Sequence, residues 1–128
     1  GKPMNISKFT QKSVQAVQDL EKIAYEYGNQ EIEEEHLLYA LLTQEDSLIL
    51  KLIEKMEIQK EYFIDTVKRA LDARVKVSGG ELRFGQYLNK ALVSAEDEAK
   101  AMGDEYVSVE HLFLSMLRYP SPKHEEDL

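Results

Sequence analysis

The chain has 128 residues and a mass of 14.8 kDa, is 43% hydrophobic and contains six glycines and three prolines, enough to bury one core and unlike collagen, low-complexity or disordered chains. The absence of cysteine removes disulfide frameworks, thiolate nucleophiles and cysteine-type zinc sites. A net charge of −8 and a pI near 4.9 repel phosphate, which argues against nucleic acid and anionic membranes as partners, and no apolar run approaches the roughly 20 residues of a membrane span.

In chain order, Gly1-Lys2-Pro3 ahead of Met4 reads as a tag remnant. No charged region followed by an apolar stretch opens the chain, so the expected location is cytoplasmic. Val17, Leu20, Ala24 and Tyr27 recur at helical spacing, and Gly28 supplies the left-handed residue that ends such a helix. Ile32 anchors a short loop. Glu33–Glu35 then crowd the first turn of a second helix, where acids meet the positive end of the dipole. Leu37, Leu38, Leu41 and Leu42 make that helix apolar round much of its girth, as in a central element. Leu48–Lys55 carries Ile49, Leu52 and Ile53, with Met56 beyond its end, and a further stripe follows in Phe63, Ile64, Val67, Ala70 and Leu71. Val75-Lys76-Val77 alternates but has no partner, and Ser78-Gly79-Gly80 breaks the pattern as a connector.

The remainder repeats the beginning. Displaced by 75 residues, 9–42 aligns with 84–117 without a gap, and ten of 34 positions are identical against roughly two by chance. The identical pairs include Phe9/Phe84, Gly28/Gly103, Glu35/Glu110 and His36/His111. Leu88, Leu92, Ala95, Ala99 and Met102 form the matching helix, stopped by Gly103. Val107 is the matching anchor and Ser108 a natural N-cap. Leu112, Phe113, Met116 and Leu117 form the matching inner helix, which Pro120 and Pro122 end near Arg118. The second copy stops early, since Leu128 corresponds to Ile53, and the acidic Glu125-Glu126-Asp127 reads as solvated. The expected fold is all-α, with seven to eight helices in two pseudo-equivalent halves. Residues 4–77 form the first repeat, 78–83 the connector, 84–119 the truncated second repeat and 120–128 a tail.

Catalytic signatures are weak. Glu33-Glu34-Glu35-His36 holds the Glu-x-x-His spacing of di-iron bundles, but the second copy has Ser108 in place of the glutamate. The expected role of His36 and His111 is therefore structural, one nitrogen bonded to backbone, with no metal site. Gly79, Gly80 and Gly85 lack the lysine and hydroxyl of a phosphate loop. No Gly-x-Ser-x-Gly turn occurs, and the scattered acids read as solvated helix faces. The seven tyrosines and four phenylalanines are expected mostly at the core or its edge, with some free to line an apolar groove that grips peptide.

The duplicated pattern is Phe9-Thr10-Gln11, then Gly28-Asn29 and Glu35-His36-Leu37-Leu38, matched by Gly103-Asp104 and Glu110-His111-Leu112. It resembles the amino-terminal Clp repeat domain of the Clp AAA+ chaperones over nearly the whole chain, most closely that of ClpB-type disaggregases. The resemblance implies a double Clp motif of two four-helix units. It also implies a mobile, non-catalytic module that engages unfolded or aggregated polypeptides, or an adaptor protein, ahead of ATPase rings. ATP and magnesium are then expected only in a parent chain, itself a hexamer, with this fragment a monomer. By the same resemblance, substrate contact falls to Thr10, Asp104 and Glu110, with Glu35 a secondary acid equivalent to Glu110. Glu34 and Val109 stand where phosphoarginine-reading relatives carry threonine, which points away from that specificity. The alternatives are a free-standing adaptor that regulates a Clp protease and, more distantly, a helical metalloenzyme.

Overall fold

The computed structural model describes residues 5–122. A 3-10 turn at Ile6–Lys8 leads into α1 (Gln11–Glu26), β1 (Glu31–Ile32), α2 (Glu34–Leu42), α3 (Leu48–Lys55) and α4 (Lys60–Asp72). Then follow β2 (Arg83–Phe84), α5 (Gln86–Ala101) and α6 (Val109–Arg118). Gly28 (φ +70°) and Gly103 (φ +73°) end α1 and α5 in the left-handed conformation, as their place in the repeat predicts.

The helix count is lower than expected: six α-helices stand among the described residues. Counterparts of α3 and α4 in the second repeat would begin at residue 123, outside them. The tag remnant and the acidic stretch Glu125-Glu126-Asp127 also lie outside the described residues.

Two short pairings join the repeats. β1 and β2 run parallel, with Glu31 opposite Arg83 and Ile32 opposite Phe84. An isolated parallel bridge joins Phe9 to Val107. Under the 75-residue offset, Phe9 matches Phe84 and Val107 matches Ile32. The two pairings are thus one contact made in both directions: the segment ahead of each repeat's first helix pairs with the segment ahead of the other repeat's second helix. Sequence periodicity predicts neither, because two residues are too few for alternation to register. Val75-Lys76-Val77, the one alternating stretch, is not a strand. It is docked instead by the Val77 N–H on the Gly28 carbonyl (2.9 Å) and the Asn29 side-chain amide on the Val75 carbonyl (3.2 Å).

The core is continuous across both repeats. Leu20, Leu37, Leu41, Leu88, Leu92 and Leu112 are buried in one cluster with Ile49, Ile53 and Leu71. α2 lies at its centre, packed by α1, α3, α4, α5 and α6. α6 departs from the expected all-round burial. Leu117 is 59% exposed, whereas its counterpart Leu42 is buried, because α3 and α4 cover α2 and no such pair covers α6 among the described residues. Met56 and Met102, at the ends of their stripes, are also exposed. Among the aromatics, Phe9 is buried and Phe63, Phe84 and Phe113 are packed against the core, whereas Tyr25, Tyr62 and Tyr106 face solvent. The reading of all acids as solvated fails at Glu33, Glu34, Glu35 and Glu98, each buried. Glu35 is paired with Arg74, and Glu98 with Arg118.

Candidate functional site

The Phe9–Val107 crossing gathers Thr10 and the segment that carries Asp104 and Glu110. Thr10 is the N-cap of α1: its hydroxyl accepts from the Ser13 N–H at 3.3 Å, one of the donors a helix start leaves unmatched. Its own N–H donates to the Val107 carbonyl at 3.0 Å, and the Val107 N–H donates to the Lys8 carbonyl at 2.8 Å. The Ser13 hydroxyl donates to the same Val107 carbonyl at 2.9 Å. Thr10 is therefore pinned beside the loop between α5 and α6.

Asp104 opens that loop. His111 is buried in the first turn of α6, where its Nδ1 accepts the Ser108 N–H at 2.9 Å. With Nδ1 an acceptor, the ring proton sits on Nε2, which donates to Asp104 Oδ2 at 2.8 Å. The Asp104 side chain is 49% exposed, so a fixed carboxylate stands at the surface. Glu110, in the first turn of α6, is half-buried.

The β1–β2 crossing repeats this plan with other chemistry. His36 Nδ1 accepts the Glu33 N–H at 2.9 Å, and Nε2 donates to the Asn29 side-chain oxygen at 3.0 Å. Burial, then the Arg74 charge, lower the His36 pKa to about 4, so its ring stays neutral. Both histidines hold one nitrogen on backbone, as their place in the first turn predicts. Glu35 is brought to this second crossing, away from the other three. It is buried and ion-paired to Arg74, while Asn29 leaves the loop without the charge that Asp104 supplies.

Three features escaped sequence reasoning. Glu33 is buried against Gly85, the N-cap of α5, with its Oε1 only 1.1 Å from the position a Cβ there would take. Glu34 Oε1 accepts the Ser121 N–H at 2.9 Å, 87 residues away. Arg74, just past α4, reaches back to Glu35. The first has a visible signal in the repeat alignment, where Thr10/Gly85 and Ser108/Glu33 exchange small for large. The other two are single long-range contacts without a pattern. The exposed apolar side chains include Leu114 and Leu117 on α6. Counting four and then three residues from Glu110, they share its helical face.

The family model for the Clp repeat N-terminal domain matches residues 8–125. Chaperone protein ClpB of Nitratidesulfovibrio vulgaris is 42% identical over 123 residues, covering 92% of this chain and 14% of that protein. The chain thus spans about a seventh of the length of this relative. The Hsp104 N-terminal domain from Candida albicans superposes with a TM-score of 0.80 at 22% identity, over 91% of this chain and 78% of that one. A ClpV N-domain solved as a complex with VipB peptide gives 0.74 at 20% identity, over 98% and 82%. The gapless duplication, the double crossing and these likenesses agree: the chain belongs to the Clp repeat N-terminal domain family and has the fold of the Hsp104 and ClpV N-domains.

Proposed function

We propose that this domain docks non-native polypeptide, or an adaptor protein, for a ClpB-like ATP-dependent disaggregase, and that contact is made at the Phe9–Val107 crossing. The observation that carries the reading is the outer face of α6. Glu110, Leu114 and Leu117 follow one another along it, and His111 in the first turn of the same helix holds the exposed Asp104 carboxylate. An extended or helical peptide with apolar side chains and a basic group finds both complements there. The net charge of −8 favours basic segments, with the leucines supplying most of the affinity. The ClpV N-domain complex with VipB peptide lends support, since a domain of the same fold there accepts a peptide. In this reading the domain is monomeric and non-catalytic, while ATP, magnesium and hexamer formation belong to the rest of a cytoplasmic parent chain.

The test uses variants that leave the fold intact. Asp104→Asn copies what Asn29 already does under His36, so it removes charge without removing a hydrogen bond. Combined with Glu110→Gln it is expected to weaken binding of a permanently unfolded polypeptide by about tenfold in anisotropy titrations. Leu114→Ser with Leu117→Ser is expected to do at least as much, with a melting temperature within a few degrees of the parent. Undiminished binding by both pairs would move contact to another face. An immunoblot of the source cells tests the parent chain: a band far above 14.8 kDa fits a disaggregase, and one near that mass fits a free-standing adaptor.

A further inference from the structure

The second crossing holds a buried acid that polypeptide docking does not use. Glu33 is 7% exposed. Its Oε1 and that of Glu31 converge above Gly85, 1.1 and 3.1 Å from where a Cβ of residue 85 would stand. Glu33 Oε1 meets no protein donor, and a proton shared between the two carboxyls gives it a hydrogen bond. The charged groups facing Glu33 are Glu31 from β1, Glu35 from α2 and Arg74 from beyond α4. The Arg74 guanidinium is engaged by Glu35, and Arg83 of β2 is held on Glu31 at 3.2 Å. His36 is neutral and takes the Glu33 backbone N–H.

We propose that the Glu31–Glu33 pair is a proton-operated latch between the two repeats: one proton shared over Gly85 keeps β1 seated on β2, and its loss drives the carboxylates apart and loosens that pairing alone. Two like charges converging over Gly85, one of them on the buried Glu33, repel one another when both ionise, and moving apart relieves that repulsion. Burial, reinforced by Glu31, pushes Glu33 up to about 7, which sets the latch to work near neutral pH. It is independent of the docking reading, whose principal residues lie at the other crossing.

The fold contains its own control. The Gly85 N–H on the Ile32 carbonyl (2.8 Å) and the Arg83 N–H on the Gln30 carbonyl (3.1 Å) report the latched crossing. The Thr10 and Val107 amides report the other one. Amide hydrogen exchange of the 128-residue chain, corrected for intrinsic rates, is measured from pH 6 to 8. Protection at Gly85 and Arg83 is expected to fall about tenfold, as linkage gives for a carboxyl raised to near 7, while Thr10 and Val107 hold constant. Glu33→Gln, which keeps a neutral group in place, is expected to abolish the fall. Glu31→Gln removes the charge that helps to raise Glu33 and offers an amide donor to its ionised form, so the midpoint of the Glu33 carboxyl carbon resonance is expected to move to lower pH. Protection that stays flat at Gly85, that falls equally at all four amides, or that ignores both substitutions would overturn the latch.

Discussion

Gly85 caps α5 without a side chain because Glu33, from the other repeat, fills the space one would occupy. Its backbone does not call for glycine, since φ −69° and ψ 162° suit any residue. At the matching crossing the cap is Thr10, and Ser108 stands where Glu33 does. One crossing is built from two hydroxyl residues, the other from a glycine and a buried acid.

Gly85→Ala should therefore destabilise the domain by about 1–3 kcal/mol through overpacking. Gly85→Thr combined with Glu33→Ser rebuilds the first crossing's chemistry at the second. It should recover most of the loss of Gly85→Thr alone, a coupling above about 1 kcal/mol in a double-mutant cycle read by denaturant unfolding.

Glu33 and His36 oppose one another in pH dependence. The raised Glu33 contributes stability below its unfolded value of 4.5, and this is lost as pH rises to about 7. The depressed His36 contributes stability above its unfolded value of 6.5, and this is lost as pH falls to about 4. Between 4.5 and 6.5 the two slopes, each up to about 1.4 kcal/mol per pH unit, have opposite signs. Unfolding of the parent should be nearly flat across that window. Stability should rise with pH in Glu33→Gln and fall with pH in His36→Gln.

The two arginine pairs of the second crossing should differ sharply. Arg74→Ala removes a partner from a carboxylate whose side chain is 5% exposed, and is expected to cost roughly 3 kcal/mol. Arg83→Ala breaks a solvent-exposed pair with Glu31, and is expected to stay within about 1 kcal/mol. Thermal melts of the two variants side by side decide it.

Thr10→Ala should lower stability by about 1 kcal/mol by uncapping α1, and Thr10→Ser should restore it. Polypeptide binding that falls in Thr10→Ser, where the hydroxyl cap is kept, marks a contact made through the threonine methyl, whereas binding that follows stability in both variants marks a capping role alone.

The helices were legible because each buries a stripe long enough to repeat several times, and because Gly28 and Gly103 mark their ends with a conformation few residues share. The duplication was legible for the same reason. The crossings were not, since Ile32 and Val107 each contribute a contact of one or two residues to a partner more than 50 residues away in sequence. The sequence puts Glu34 and Glu35 in the first turn of α2, where they lie, but gives no sign that they are buried. Nothing local distinguishes a glutamate facing water from Glu35 facing Arg74. Of the candidate site, Thr10, Asp104 and Glu110 fall at one crossing, and Glu35 falls at the other because the repeats exchange partners.

That exchange has a consequence for the two halves as separable bodies. Each lends the other the segment it needs and takes the same segment back, which is the relation between protomers in an isologous pair. Residues 78–82 then serve as a tether that holds the pair at an effective concentration on the order of millimolar. Severed there, the domain would become a bimolecular complex whose stability depends on dilution.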